Sequence, residues 1–167
     1  TSPADWPELL PNFIALHPWS RGEGKSLSNS ALQALCDALA PHPVVLVGMT
    51  DDKTRPTGGH LHDWSHRTSL PELIWIMRQA RYCVSVDSGP MHIAAAVNPH
   101  TLGIHTWSDP RKVGPYPTGV HVWKAGRIAT RGEFSTEECA AETGVSDQAA
   151  RDIGGWVKAR VGHASFC

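Results

Sequence analysis

The stretch VSVDSGPMHIAAAV, from Val84 to Val97, decides how this chain folds. Val84 to Val86 reads as a short buried strand. It ends at once in Asp87-Ser88-Gly89-Pro90, and a helix of small residues follows. A carboxylate at the carboxyl end of a parallel strand sits where open α/β sheets bind their ligands. Ser88 can cap the helix, Gly89 lets a ligand come close to the backbone, and Pro90 suits the first helical position. The start of the helix then offers free N–H groups and the positive end of its dipole, which together make an anion site. His92 falls about one turn into the helix and can face the same ligand. The same residues also suit an ordinary strand–turn–helix connection that binds nothing.

Outward from this stretch, strand and helix signals alternate. Phe13–His17 reads as a strand, followed by the polar loop Pro18–Ser28. Asn29–Ala40 carries Leu32, Leu35, Cys36 and Leu39 at helical spacing, and Pro41-His42-Pro43 ends it. Val44–Val47 is a second buried strand. The polar segment from Thr50 to Arg67 has little periodicity, with a short strand near Leu61. Ser69-Leu70-Pro71-Glu72 is a capping box that opens a helix to about Ala80. Tyr82–Val86 and Thr101–Thr106 are strands on either side of the Pro90–Val97 helix, and His121–Lys124 is the last strand. This alternation predicts an α/β fold with a single doubly wound parallel sheet.

The bulk numbers narrow the function classes. At 167 residues the chain is one domain with room for a real core. Its 15 Lys and Arg balance 16 Asp and Glu, so nothing favours capture by nucleic acid or an anionic membrane surface. No apolar run approaches the ~20 residues of a transmembrane segment. The opening TSPADWPELLP has no signal-peptide pattern; lacking Met and rich in Pro, it reads as a linker at residues 1–12 of a piece excised from a longer protein. Cys36, Cys83, Cys139 and Cys167 lack metal-ligand spacing, and the first two fall on core positions, which fits a reducing, cytoplasmic setting.

In a doubly wound sheet the loops after the strands gather on one edge. Here that edge collects Pro18–Ser28, Gly48–Asp52, Arg67–Ser69, Asp87–Pro90 and Trp107–Tyr116. Ser20, Arg21 and Lys25 are suited to phosphate, Asp51 or Asp52 can accept from ribose hydroxyls, and Thr68 and Ser69 supply hydroxyls and a helix start. Together they suggest a nucleotide site.

The order of these motifs resembles the C-terminal half of glycosyltransferase family 9, the ADP-heptose:lipopolysaccharide heptosyltransferases, over about Phe13 to Tyr116. DSGPMH with its Ala-rich helix is similar to the family's signature. RTSLPEL (Arg67–Leu73), HTWSDPRKVGPY (His105–Tyr116) and HPWSRGEGKSLS (His17–Ser28) resemble its other loops, in the same order. The chain departs from the family pattern where Ser26-Leu27 replaces Trp-Pro after the lysine and Trp107-Ser108 replaces Pro-Thr. It also has no clear glutamate after the second strand. The resemblance implies one Rossmann-like domain, half of a GT-B fold, that holds a nucleotide-sugar donor such as an ADP-sugar, with no cofactor and no metal. It places Ser20 and Lys25 on the diphosphate, Asp51 or Asp52 at the ribose, Thr68 near the base, and Asp87, Ser88, Gly89 and His92 around the phosphates and donor sugar. It puts the acceptor site and the catalytic base in an N-terminal domain missing from this chain.

The remaining signals have plainer readings. His60, His62, Asp63 and His66 could suggest a metal site but lie in a polar loop with no closing ligand pattern. His17 reads as a strand-end residue rather than a base, and Trp75 and Met77 as helix packing. Ser135–Ile153 resembles a helix-turn-helix, with Gly144 in the turn and Val145-Ser146 capping the second helix. Its five acidic residues against Arg151 give a net charge of −4, the wrong sign for a DNA reader. The helices of residues 131–167 are therefore expected to pack on the domain formed by 13–130. The leading functional expectation is a donor-binding half of a heptosyltransferase-like enzyme in lipopolysaccharide or related glycan synthesis. Any hold on the inner membrane is left to the full-length protein. The alternatives are a nucleotide-sugar-binding module without transferase activity and a regulator that uses the tail.

Overall fold

The computed structural model describes residues 11–163, so the expected linker lies almost wholly outside the described residues, as does Cys167. The elements run β1 (Ile14–His17), α1 (Asn29–Leu39), β2 (Val44–Leu46), β3 (Leu61–Asp63), α2 (Leu70–Gln79), β4 (Tyr82–Val86), α3 (Gly89–Val97) and β5 (Thr101–His105). They continue with α4 (Pro110–Val113), β6 (His121–Lys124), β7 (Arg127–Thr130), α5 (Thr136–Ala140) and α6 (Asp147–His163). One sheet holds the strands in the order β3-β2-β1-β4-β5-β6-β7. All neighbours are parallel except β6 and β7, which form an antiparallel pair. The chain steps outward from β1 to β3, returns to β4 beside β1, and steps outward again on the other side. Its strand order therefore reverses between β1 and β4, and such a crevice is where doubly wound folds take their ligands.

The expected elements are present, and β7 and α4 are added to them. The sequence reading ended at His121–Lys124, but β7 follows it through a tight turn at Ala125 and Gly126, both with positive φ. Arg127–Thr130 is only half-buried and polar at its ends, so an edge strand of this kind leaves little apolar signal. The single turn α4 is likewise too short to show periodicity; Asp109 caps it by accepting from the Arg111 N–H. At α2 the sequence signal holds, with Ser69 and Glu72 in a reciprocal capping box, and at α1 the structure adds a cap in which Ser28 accepts from the Ala31 N–H.

Alternation along the central strands sorts the core. Ile14, Leu16, Val84, Val86, Leu102 and Ile104 face α1 and α6, while Phe13, Ala15, Val45 and Cys83 face α2 and α3. The same period of two puts the polar strand-end residues His17, Ser85, Asp87 and His105 on the second face, at the carboxyl edge under the start of α3. Two parallel strands buried on both sides leave this edge as the place where polar groups can gather.

The tail is part of this body. Ala150, Ile153, Val157 and Val161 of α6 pack into the α1 side of the core. Gly154 lets the helices touch, since a β-carbon there would lie 2.5 Å from that of Ala38 and 3.2 Å from the Leu35 carbonyl oxygen. This apolar seam supports packing over the helix-turn-helix reading of Ser135–Ile153. Lys124 is buried without a carboxylate beside it; its ammonium donates to the carbonyls of Thr106 at 2.6 Å and Ala141 at 2.5 Å, tying the tail to the loop after β5. Cys36, Cys83 and Cys139 are free and buried, and burial pushes the Cys36 and Cys83 thiols up to about 12, so they are packing groups.

Candidate functional site

An open cleft of about 620 Å³ lies over the β1–β4 crevice. Its floor is His17 and Gly48, and one wall is Trp19, Ser20 and Arg21 from the loop after β1. The opposite wall is Thr68, Ser69, Leu70 and Leu73 at the start of α2, with Ser88, Gly89 and Pro90 at the start of α3. Met49 and His66 complete the rim. Loops far apart in sequence thus meet because each follows a parallel strand. Gly48 is required there twice over: its φ is +113°, and a β-carbon would strike the His17 ring at 2.5 Å.

Beside the cleft, Lys25 lies 2.9 Å from the Asp87 carboxylate and 4.8 Å above the Trp107 ring. The contact is an ion pair rather than a well-aligned hydrogen bond. The pair is positioned from both sides. Thr106 Oγ1 donates to the Gly24 carbonyl and the Trp107 indole N–H donates to that of Glu23, so the loop after β5 braces the Lys25 loop. Trp107 and Thr106 therefore hold the Lys25 loop in place. Burial alone would raise the Asp87 carboxyl, but Ser108, Lys25 and His105 outweigh it and hold it below the usual range. His105 is fully buried, with Nδ1 3.0 Å from Ser108 Oγ and 3.9 Å from Asp87; burial keeps it neutral despite the carboxylate.

The structure distributes the expected site residues unevenly. Ser20, Thr68, Ser88 and Gly89 line the cleft. Ser20 Oγ accepts from the Gly22 N–H. Asp51 lies in an adjoining recess with Ser20, Arg21 and Ser26, whereas Asp52 is turned away to accept from Asn29 and the Thr54 N–H. Of the two acids, Asp51 is the one that lines this recess. Lys25 and Asp87 stand beside the cleft as a pair. His92 is exposed and does not line the cleft; it lies close enough to His105, the neighbour of Asp87, to interact with it electrostatically.

Ser88 is at the N-cap of α3 but does not cap it. Its hydroxyl donates instead to the Val86 carbonyl and lies 3.3 Å from His17 Nδ1. The expected row of free N–H groups is also thinner than supposed: Pro90 has none, and the Met91 N–H is taken by the Ser88 carbonyl. The Gly89 N–H, at the first helical position, remains for a ligand. A β-carbon at Gly89 would meet nothing within 4 Å, so it would stand in open space. The possible metal cluster also dissolves into local bonds: His60 meets the Cys36 carbonyl, Asp63 pairs with Arg55 and accepts from Ser65, and His66 bonds across to Thr50.

Sequence reasoning missed His17 as part of the floor, along with Met49 and His66, whereas Arg21, read from the sequence as a phosphate group, does line the cleft. The usable signal was Gly48, a glycine directly after a buried strand and level with the end of β1.

Residues 11–141 match the sequence model of glycosyltransferase family 9 (heptosyltransferase). Among solved structures, the chain is similar to Escherichia coli ADP-heptose lipopolysaccharide heptosyltransferase II at 19% identity, with a TM-score of 0.65 over 90% of this chain and 47% of that one. It is similar to the E. coli heptosyltransferase WaaC with ADP at 16% identity, with a TM-score of 0.67 over 93% and 46%. A family 9 glycosyltransferase from Veillonella parvula gives 15% identity and a TM-score of 0.63 over 89% and 46%. The chain thus spans about half the length of the solved structures it matches. No curated protein matches it in sequence. A family match that covers most of the chain, on a doubly wound sheet with the same fold as these enzymes, places the protein in glycosyltransferase family 9, the heptosyltransferases.

Proposed function

We propose that this chain is the donor-binding half of a GT-B glycosyltransferase of heptosyltransferase type, acting on an ADP-sugar in lipopolysaccharide or related glycan synthesis. Residues 13–130 form its nucleotide-sugar domain, and the helices after 131 belong to the same domain. The observation that carries the reading is the cleft at the β1–β4 crevice with Lys25 and the start of α3 beside it. The ADP in the E. coli relative WaaC, a protein of the same fold, supports it.

In this reading the base lies against Met49, Leu70, Leu73 and Thr68, Asp51 faces the ribose, and the diphosphate lies near Ser20, Gly89 and Lys25. Asp87 holds the ammonium in place as an ion pair, and the ammonium's N–H donors can turn to phosphate oxygens. A cation held beside the departing nucleoside diphosphate stabilises the charge that grows on it in the transition state. The reading needs no metal or cofactor. His92, outside the cleft wall, stands with Asp87 toward the phosphates and the donor sugar. Asp87, committed to Lys25, is not placed to take a proton from an acceptor, so the base belongs to the half of the enzyme that this chain does not span.

Among the described residues, the exposed large hydrophobics are Met49, Leu70, Trp107, Val113 and Tyr116, all on segments that follow the carboxyl ends of strands. Such an apolar rim suits an edge that meets a second domain across a cleft. Buried free thiols fit a cytoplasmic enzyme. Calorimetry with ADP tests the reading. Binding is expected for the wild-type chain, and Lys25→Ala should weaken it by on the order of tenfold to a hundredfold, the scale of a charge-assisted contact. No binding by the wild type, or equal binding by a folded Lys25→Ala variant, would overturn it.

A further inference from the structure

We infer that His17 is locked as its Nδ1–H tautomer and presents the bare Nε2 lone pair to the cleft, so that this point of the floor selects a hydrogen-bond donor, an amino or hydroxyl group of the nucleoside. The inference rests on the nucleotide reading for its ligand, but not for the tautomer.

The tautomer follows from counting protons. Nδ1 of His17 lies 3.1 Å from Ser85 Oγ and 3.3 Å from Ser88 Oγ. Both hydroxyls also lie on the Val86 carbonyl oxygen, at 2.9 Å and 3.0 Å. A carbonyl only accepts, and each serine has one proton. If both protons go to Val86, a hydrogen on Nδ1 can be shared between the two serine oxygens and every contact is attractive. If instead one serine donates to a bare Nδ1, its contact with the carbonyl becomes oxygen against oxygen. The other serine's contact with Nδ1 then becomes lone pair against lone pair. Only the first assignment satisfies all four contacts, and burial of the ring excludes the doubly protonated form near neutral pH, since it lowers His17 to about 4.

The opposite edge of the ring faces the ligand space. Cδ2 and Nε2 lie directly beneath Gly48, where a β-carbon would come within 2.5 Å and 2.8 Å of them, and both residues line the cleft. Among the described residues only Nδ1 of His17 is hydrogen-bonded, and Nε2 is not one of the sealed, unpartnered atoms of the interior. A lone pair here repels phosphate oxygens and accepts from N–H or O–H. It therefore assigns the nucleoside end of the ligand to the floor over His17 and Gly48, with the diphosphate out toward Lys25.

Two-bond 1H–15N correlation spectra of the 15N-labelled chain read the tautomer directly. The expected result without ligand is a protonated Nδ1 and a bare Nε2; a protonated Nε2 would overturn the inference. On titration with ADP, the Nε2 resonance should move toward that of a hydrogen-bonded nitrogen while Nδ1 stays. ADP that binds and leaves Nε2 unmoved also overturns it. Absence of ADP binding altogether sinks the nucleotide reading and the ligand half with it, whereas the spectrum of the free chain judges the tautomer separately. His17→Asn separates the two edges of the ring, since its amide can stand in for Nδ1–H toward the serines but has nothing at Nε2. It should fold normally and bind ADP about five- to tenfold more weakly, the scale of one net hydrogen bond. Affinity unchanged in that variant removes Nε2 from the site.

Discussion

At the scale of single residues, the site depends on keeping two imidazoles neutral and one backbone bare. His17 and His105 are both held below the ordinary histidine value by burial. An unfolded chain takes up protons on these rings once the pH falls below about 6.5, before the native state does. Their contribution to stability is therefore complete above that value and is lost as the pH falls toward about 4 for His17. Melting temperature should drop on acidification between about pH 6.5 and about pH 4.5, and His17→Asn should flatten that slope. An identical acid limb in the variant would mean that His17 is already charged in the fold. Gly89 tests the other requirement. Its φ is not left-handed and a β-carbon there has open space around it, so Gly89→Val should fold and melt close to wild type. The branched side chain would fill the mouth of the cleft, and ADP binding by calorimetry should be lost. A variant that unfolds would instead make Gly89 a plain turn residue.

At the scale of elements, α6 separates glycine's two roles. Gly154 sits in the crossing with α1, against Ala38 and the Leu35 carbonyl, while Gly155 meets nothing within 4 Å. Gly154→Val should cost about 1–3 kcal/mol, because overpacking a tight helix contact forces the backbones apart. Gly155→Ala should instead gain about 0.5–1 kcal/mol, since it removes backbone freedom from the unfolded chain with no contact to pay for it. Chemical denaturation of the two variants reads both signs, and equal effects would deny the α1–α6 seam. The Lys124 tether belongs to this scale as well. One buried ammonium joins β6, the loop after β5 and the segment after α5, and through Thr106 it reaches the loop that carries Lys25.

At the scale of the whole molecule, the proposed donor-binding half is expected to bind without reacting. Binding needs the edge loops and helix starts present here; transfer needs an acceptor held in line and a base beside its hydroxyl. The isolated chain is expected to bind ADP and to give no glycosylated product when incubated with ADP-heptose and a lipid A–Kdo acceptor, read by mass spectrometry. Slow hydrolysis of the donor is compatible with a cleft open to water. A glycosylated acceptor would place a working base within these residues, with Asp87 the first carboxylate to replace by Asn.

What the sequence determined by itself is whatever is written in local order. Val84–Val97 announces a strand, a turn and a helix; Ser69 and Glu72 announce a capping box; and the alternation of such units implies the doubly wound sheet. These signals are legible because each depends on residues within a few positions of one another. Ser20, Thr68, Ser88 and Gly89 could be named in advance, since they lie in loops that any parallel sheet delivers to one edge. Only the tertiary structure decided how the groups on that edge are spent. It gave Asp87 to Lys25, turned Asp52 away toward Asn29, set His92 outside the cleft, and brought His17 of β1 against Ser85 and Ser88 of β4. Those choices are fixed by strand register and by which helix covers which face, and neighbours dozens of positions apart leave no periodicity in the chain that joins them.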